Sequence, residues 1–324
     1  MSVTHPSSTG PTVVLVEEDA GMELLRDHPT LTPVRYDLAA SMEPDARQLQ
    51  ARAIVVGITP VEPAAELMRR LPDLRLVQTL SAGYEQWVDH VPPHVKIANV
   101  RGVHGMPVAE WIVGSLIAHF RELTELADWQ RRATWRPRQL SDSLIGKRVA
   151  IVGAGDIALR TRGMLTPFDC AVTLVGRSPR AGVITLEDFL RGPIGDAEVI
   201  VLAVPVTPET TGLVDDDFLS RTAPGALLVN AGRGALVDQS ALARAATAGR
   251  IHAILDVVDP EPLPSEHPLW ATPHVTITPH VGGAIPQTWP KAWRRAVQNL
   301  EAFASGLPPI DLAAQDRVPL TGHR

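Results

Sequence analysis

Three polar residues in the second half of the chain have side chains that can do chemistry together. Arg233 lies in the motif V-N-A-G-R-G, Glu261 in D-V-V-D-P-E-P-L and His280 in I-T-P-H-V-G-G. Each follows an apolar run of strand composition, and ligands in open α/β sheets bind beyond the carboxyl ends of strands. Singly, each residue is equally typical of a turn or a solvated loop. Together they supply an anion-binding guanidinium, a proton-transferring imidazole and a carboxylate that can orient the imidazole.

A glycine-rich turn between a strand and a helix indicates a nucleotide site near these residues. The sequence G-A-G-D-I-A follows the apolar run 147–152 and opens a predicted helix over 156–165. Gly153 permits a sharp turn, Gly155 lets the backbone approach a pyrophosphate, and Ala158 is small enough to pack on the strand. The free N–H groups and positive dipole end of the new helix then face the phosphates. A glycine turn alone is weak evidence, but this strand–turn–helix context predicts dinucleotide binding.

The elements that must position these residues alternate between strand and helix patterns. Predicted strands cover 12–16, 53–57, 75–79, 96–99, 147–152, 171–175, 198–204, 226–230, 251–257 and 275–278. Predicted helices cover 21–28, 63–71, 156–165, 238–248 and 292–304. This alternation predicts an α/β protein with parallel, helix-covered sheets.

Residues 106–131 carry apolar side chains at mixed three- and four-residue steps, which predicts one long helix with Pro107 in its first turn. The helix is apolar over much of its circumference, so we expect it to be buried between domains or subunits. Residues 133–143, rich in Arg, Pro and Ser, read as a linker.

Composition narrows the class of protein. The chain has 324 residues, enough for two domains, with 45% hydrophobic and 20% charged residues. A net charge of -6 disfavours nucleic acid as the main partner, and no apolar run approaches membrane-spanning length. The first eleven residues are polar, unlike a signal peptide. Cys170 is the single cysteine, which predicts a cytoplasmic location, a packing role for this thiol and no metal site.

Seven ordered motifs resemble the D-isomer-specific 2-hydroxyacid dehydrogenase family over nearly the whole chain. They are the glycine turn, L-S-A-G-Y-E (80–85), N-V-R-G-V-H-G-M-P-V-A-E (99–110), V-P-V-T-P-E-T (204–210), N-A-G-R-G-A-L-V-D (230–238), L-D-V-V-D-P-E-P-L (255–263) and T-P-H-V-G-G (278–283). The resemblance implies two doubly wound parallel-sheet domains. Residues 1–100 plus 286–324 would form a flavodoxin-like substrate domain, and residues 101–285 a Rossmann NAD(P)-binding domain.

The resemblance also implies roles for the reactive residues. Arg233 would bind the carboxylate of a 2-ketoacid and polarise its keto oxygen, which suits a forked, permanently charged group. His280 would give a proton to that oxygen as hydride arrives, and Glu261 would orient the ring and favour its charged form. Substrate contacts would come from Ser81, Ala82, Gly83, Arg233 and His280. Cofactor contacts would come from Gly153, Gly155, Asp156, Ile157, Ala158, Arg177, Ser178, Arg180, Val204, Pro205, Ala231, Gly232, Arg233, Asp256, His280, Gly282 and Gly283.

The second strand of the nucleotide-binding half predicts the cofactor. An acidic residue at its end normally binds the adenosine ribose 2′-OH and repels a 2′-phosphate. Here that position is Gly176, followed by Arg177, Ser178 and Arg180. Since Arg can accept a 2′-phosphate, we expect a preference for NADP(H), with NAD(H) possible. The two cations could equally be solvated loop charges.

The leading hypothesis is therefore an NADPH-dependent 2-ketoacid reductase of the glyoxylate/hydroxypyruvate reductase type, acting as a homodimer through the helix over 107–131. The length leaves no room for the regulatory domain of long phosphoglycerate dehydrogenases. The related formate dehydrogenases typically carry Gln at the place of Glu261, so ketoacid chemistry is favoured, while phosphite oxidation stays open. The alternative from another class is an NAD(P)-sensing protein like the corepressors that share this fold.

The side chain of the ketoacid is not readable from the motifs. Candidate pocket residues are Tyr84, Arg101, His104, Met106 and Trp289, each of which could equally be ordinary packing or surface.

Overall fold

The computed structural model of the protein describes residues 10–39, 43–57 and 59–313. The chain divides into two compact units, one of Met1–Val103 with Pro286–Arg324 and one of His104–Ile285. The polar segment ahead of residue 10 lies outside the described residues, as does the end of the chain after residue 313. Among the described residues, no helix combines the length and the apolar character needed to cross a bilayer.

Strands and helices alternate along both units. The strands are β1 (Thr12–Val16), β2 (Leu31–Arg35), β3 (Ala53–Val56), β4 (Leu76–Thr79), β5 (Lys96–Ala98), β6 (Arg148–Val152), β7 (Ala171–Gly176), β8 (Val183–Thr185), β9 (Val199–Leu202), β10 (Ala226–Asn230), β11 (Ile251–Leu255) and β12 (Val275–Ile277). The helices are α1 (Asp19–Leu25), α2 (Val61–Arg69), α3 (Glu85–Val88), α4 (Gly105–Phe120), α5 (Leu123–Arg131), α6 (Asp156–Leu165), α7 (Leu186–Arg191), α8 (Asp216–Arg221), α9 (Gln239–Thr247) and α10 (Thr288–Ala304).

The first unit is a five-stranded sheet of order β2-β1-β3-β4-β5, with every strand pair parallel. Its central strand β3 is fully buried, because side chains on both faces are covered by helices. Ile54 belongs to the core on one face, and its neighbour Val55 belongs to the core on the other, with Trp293 and Leu300 of α10. This is the flavodoxin-like order that the motifs imply.

The second unit is a seven-stranded parallel sheet of order β12-β11-β10-β9-β6-β7-β8. The strand order reverses between β6 and β9, so the turn after β6 lies at the switch point of the sheet, where open α/β sheets bind ligands. The predicted class of two parallel α/β sheets is confirmed.

The single helix predicted over 106–131 is wrong. The structure has two helices, α4 and α5, and Glu122 between them adopts a left-handed conformation with φ of 52°. The side chain of Glu122 pairs with Arg136 of the following segment. Both helices have apolar residues at helical spacing, so the sequence pattern continues through the break. In α5, however, the apolar residues Leu123 and Leu126 are exposed.

Candidate functional site

The glycine turn after β6 has the geometry that a pyrophosphate requires. Gly153 has φ of +135°, and a Cβ at this position would lie 2.5 Å from the carbonyl oxygen of Ala203. Gly155 precedes α6, and a Cβ there would meet only open space, whereas Ala158 is buried against the sheet. The start of α6 therefore offers N–H groups at an unobstructed surface, as phosphate binding requires.

Glu261 and His280 form a carboxylate–imidazole pair. The Nδ1 atom of His280 lies 2.7 Å from Oε2 of Glu261, and Oε1 of Glu261 accepts the Val258 N–H at 3.1 Å. Burial acts to raise the pKa of the Glu261 carboxyl, but the hydrogen bond and charge of His280, the Val258 N–H and the charge of Arg233 outweigh it, so the pKa is lowered. A carboxylate bonded to Nδ1 fixes the proton on that nitrogen, which leaves Nε2 to exchange a proton with a ligand.

Arg233 lies beside this pair. It follows β10 and precedes a short 3₁₀ turn, and its Nη1 donates to the carbonyl of Gly232 at 2.7 Å. The side chain of Asn230, the last residue of β10, donates to the Arg233 carbonyl and accepts the Gly232 N–H. The charge of Arg233 lowers the pKa of Glu261. The structure thus brings together the three residues that the sequence picked out.

Asp256, at the end of β11, holds the turn that carries His280. The residue is 5% exposed, and its carboxylate accepts the Thr278 hydroxyl at 2.6 Å and the N–H groups of Val281 and Gly282 at 2.9 and 2.8 Å. The Asp256 carbonyl also accepts the His280 N–H at 2.8 Å, where His280 has φ of 54°. We predicted Asp256 as a cofactor contact, and sequence reasoning missed this structural role.

His104, which precedes α4, is a further histidine near the pair. Burial, and then the charges of Arg233 and His280, lower the pKa of His104. The sequence placed it only among candidate pocket residues, because a single histidine before a helix carries no sign of its tertiary neighbours.

The loop after β7 places cations next to the glycine turn. Arg177, Ser178 and Arg180 are exposed, and Nη2 of Arg180 donates to the carbonyl of Ala154 at 2.6 Å. A hydrogen bond from the Thr207 hydroxyl lowers the pKa of the Glu209 carboxyl, and the charge of Arg177 adds a smaller effect in the same direction. Arg180 therefore folds back onto the glycine turn.

The other predicted cofactor residues lie at the carboxyl ends of the same sheet or on α6. Asp156 and Ile157 form the first turn of α6, and the Asp156 carboxylate pairs with Arg160 at 2.9 Å. The remaining ones follow β9, β10 and β12, and they are Val204, Pro205, Ala231, Gly232, Gly282 and Gly283. In the part of the chain that the structure describes, no three His, Cys, Asp or Glu residues are arranged to hold a metal ion.

In the first unit, the predicted substrate loop follows β4. Its carbonyl groups are occupied, since Thr79 donates to the Ser81 carbonyl, Asn99 to that of Ala82 and the Ser81 hydroxyl to that of Gly83. The N–H groups of Ala82 and Gly83 donate to no acceptor among the described residues. They are therefore available to an anion.

The candidate pocket residues have different surroundings. Tyr84 and Trp289 are partly buried and pack against the two cores of the first unit, Arg101 is exposed, and Met106 at the start of α4 is 49% exposed.

Comparison with known proteins agrees with the motifs. Residues 113–282 match the family model described as D-isomer specific 2-hydroxyacid dehydrogenase, NAD binding domain. The chain is 33% identical over 273 residues to a hydroxyphenylpyruvate reductase of Plectranthus scutellarioides, covering 82% of this chain and 87% of the relative. It is 31% identical to a glyoxylate reductase of Aeropyrum pernix, covering 78% of this chain and 80% of the relative.

A solved structure extends the agreement to three dimensions. The crystal structure of an NADPH-dependent glyoxylate/hydroxypyruvate reductase of Sinorhizobium meliloti, in complex with NADP and malonate, superposes with a TM-score of 0.80 at 29% identity. The match covers 95% of this chain and 98% of that one. These names favour an enzyme over the NAD(P)-sensing alternative. The matched motifs, the parallel sheets and the family model lead to one conclusion: the chain belongs to the D-isomer specific 2-hydroxyacid dehydrogenase family.

Proposed function

We propose that the protein reduces a 2-ketoacid to a D-2-hydroxyacid with NADPH. The observation that carries the proposal is the 2.7 Å pair of His280 and Glu261, with Arg233 close enough to act on the same carboxylate. An imidazole, its orienting carboxylate and a neighbouring guanidinium at the ends of three parallel strands suit proton transfer to a carbonyl beside a carboxylate.

Each residue has a distinct task in this proposal. Arg233 binds the substrate carboxylate and draws electron density from the keto oxygen. A nicotinamide cofactor held at the glycine turn would supply the hydride for the keto carbon. His280 gives the Nε2 proton to the keto oxygen, so the carbonyl gains one hydride and one proton and becomes a hydroxyl. Glu261 keeps the ring oriented and stabilises its charged form before the transfer.

The test is turnover of a ketoacid panel. NADPH absorbance should fall when glyoxylate, hydroxypyruvate or phenylpyruvate is added to the protein. His280→Ala and Arg233→Ala should each lower kcat/KM on the order of 100- to 10,000-fold, with NADPH binding largely retained. Near wild-type kcat in either variant would contradict the assigned roles, and an inactive wild-type protein would contradict the function.

The preference for NADPH is part of the proposal. It is supported by the lack of an acidic side chain at Gly176, by Arg177 and by Arg180 beside the glycine turn. A guanidinium forms a charge-assisted pair with a 2′-phosphate, whereas a ribose 2′-hydroxyl offers it only a weaker, neutral acceptor.

The cofactor test compares kcat/KM for NADPH with that for NADH. The wild-type ratio should exceed one, and Arg177→Ala should lower it on the order of tenfold through loss of a charge-assisted contact. Arg191→Ala, which removes an exposed cation from α7, is the matched control and should leave the ratio unchanged. A wild-type enzyme that prefers NADH would overturn this part of the proposal.

We also propose that the protein forms a dimer. The contact surface would include residues 107–131, predicted as a single helix, and the segment that follows them. The segment that follows the break at Glu122 exposes apolar side chains, with Leu123 at 49%, Trp135 at 93%, Leu140 at 97% and Ile145 at 67%. Large apolar side chains exposed along one segment favour an interaction site, and a second copy of the chain is the partner we propose.

A cytoplasmic location remains a proposal that rests on the single cysteine.

A further inference from the structure

His104 is held in the immediate surroundings of the proposed proton donor. A Cβ on Gly283, three residues after His280, would lie 3.0 Å from Cδ2 of the His104 ring. The next residue, Gly105, is buried, and a Cβ there would lie 1.6 Å from Oδ2 of Asp156 at the start of α6. The His104 ring therefore lies against the turn that carries His280, and the residue after it lies against the start of α6.

The His104 ring has no hydrogen-bond partner among the described residues. Its Nδ1 atom is buried and has no hydrogen-bond partner among them. Its Nε2 atom also makes no hydrogen bond to the described residues, but it is not buried in the same way. A proton on Nδ1 would be buried without an acceptor, which is unfavourable. The neutral ring therefore carries its proton on Nε2. This leaves one N–H donor that the protein itself does not use.

The electrostatic surroundings keep this donor uncharged. Burial, followed by the positive charges of Arg233 and His280, lowers the pKa of His104. A third cation next to Arg233 and His280 would suit a second carboxylate on the substrate, whereas a neutral N–H suits a neutral oxygen such as a hydroxyl.

We propose that His104 is a substrate-recognition residue that donates its Nε2–H to a neutral oxygen on carbon 3 of the ketoacid. The preferred substrate class is then a 3-hydroxy-2-ketoacid, of which hydroxypyruvate is the smallest. A substrate with a methyl group there, such as pyruvate, leaves the donor unpaired when water is excluded, and sites built to hydrogen-bond a hydroxyl reject analogues that lack it. This inference rests on the proposed ketoacid reductase function.

The experiment compares kcat/KM for hydroxypyruvate with kcat/KM for pyruvate, both with NADPH. The wild-type ratio should be on the order of tenfold or more in favour of hydroxypyruvate. His104→Leu, of similar size and without a donor, should bring the ratio close to one, mainly through a higher KM for hydroxypyruvate. His104→Gln, which returns a neutral donor near the Nε2 position, should restore part of the ratio.

His119→Leu is the matched control, since it makes the same change in a partly buried histidine at the far end of the same helix, where His119 contacts His252. It should leave the ratio at the wild-type value. If His104→Leu lowers kcat/KM equally for both substrates, or lowers neither, the ratio stays at the wild-type value. That outcome would overturn the inference while leaving the reductase function intact. A wild-type protein that reduces neither acid would refute the function itself, and the inference with it.

Discussion

At the scale of single residues, the contacts of Glu261 determine how the site holds a proton. Its two carboxylate oxygens are used separately, one by the Val258 N–H and the other by Nδ1 of His280. These contacts and the charge of Arg233 outweigh burial and lower the pKa of Glu261, so the carboxylate stays charged through the neutral range. Glu261 is therefore a fixed negative charge beside the ring and does not exchange protons itself.

Replacing that charge tests its contribution. Glu261→Gln keeps a group that can hydrogen-bond the ring but removes the charge that stabilises the protonated imidazole. We expect kcat for ketoacid reduction to fall on the order of 10- to 100-fold, with little change in the binding of NADPH. Steady-state kinetics and a cofactor titration measure both quantities. A kcat within twofold of wild type would show that orientation alone is sufficient.

Residue types at the site were readable from the sequence, but the contacts that position them were not. Arg233, Glu261 and His280 stand in motifs, and the structure brings them together. The anchoring of the His280 turn by Asp256 joins residues more than 20 positions apart, and no local pattern encodes it. The same holds for His104, whose neighbours come from the turns after β10 and β12.

At the scale of elements, the turns after β10 and β11 are packed backbone to backbone. A Cβ on Gly234 would lie 2.0 Å from the carbonyl oxygen of Val258 and 2.6 Å from the backbone nitrogen of Asp259. Gly234 follows Arg233, and the N–H of Val258 holds Glu261. One close contact therefore sets the positions of both side chains.

Gly234→Ala should disturb stability and activity together. The added methyl meets backbone atoms that cannot rotate away, and overpacking of this kind costs about 1 to 3 kcal/mol in the free energy of unfolding. Urea denaturation and ketoacid turnover measure the two effects. Gly163→Ala, on the exposed side of α6 with open space around it, is the control and should be neutral or slightly stabilising. Wild-type activity in Gly234→Ala would contradict the predicted coupling.

An ion network ties the segment before β6 to the sheet. Nζ of Lys147 lies 2.9 Å from Asp142 and 3.2 Å from Glu198, and also 5.2 Å from the centre of the Phe120 ring. The Lys147 hydrogen bond lowers the pKa of Asp142. Burial acts to raise the pKa of Glu198, but its hydrogen bonds outweigh burial and the pKa is lowered. Burial acts to lower the pKa of Lys147, but its hydrogen bonds to the two carboxylates outweigh burial and the pKa is raised.

Lys147→Met should therefore destabilise the protein in a pH-dependent way. The lowered carboxyl pKa values contribute stability above their ordinary values of 3.8 and 4.5, and lose it as the pH falls. The raised lysine pKa contributes below its ordinary value of 10.5 and is lost at higher pH. We expect a loss of about 1 kcal/mol near pH 7, discounted for the exposure of Asp142, that shrinks at pH 3. Urea denaturation of both proteins at the two pH values gives the difference, and a loss of equal size at pH 3 would contradict the assignment.

Buried central strands were the easiest elements to predict, because β3 and the first four residues of β10 are continuous apolar runs covered on both faces. β2 was not predicted, because it contains Pro33; the proline is tolerated there since β2 lies at the edge of its sheet. β8 and the short helices α7 and α8 were also not predicted, because they are too brief to show a period. The break at Glu122 escaped because no glycine or proline marks it.

At the scale of the whole molecule, the exposed apolar side chains after α4 decide the oligomeric state that we propose. Trp135→Ser with Leu140→Ser should convert a dimer of twice the 34.9 kDa chain mass into a monomer, as measured by light scattering after gel filtration. Leu307→Ser with Ile310→Ser removes exposed apolar side chains elsewhere and should leave the mass unchanged. A monomeric wild-type protein would refute the dimer.

The first unit is built from two separate stretches of the chain, and this has a consequence during synthesis. The second unit is one continuous stretch, whereas the first needs α10, whose Ala292, Trp293, Ala296 and Leu300 are buried in one of its two cores. Because a nascent chain emerges from its amino terminus, the second unit is complete while the first sheet still lacks that cover. Until α10 leaves the ribosome, an apolar sheet face meets water, and we expect this interval to be the one in which chaperones bind the chain.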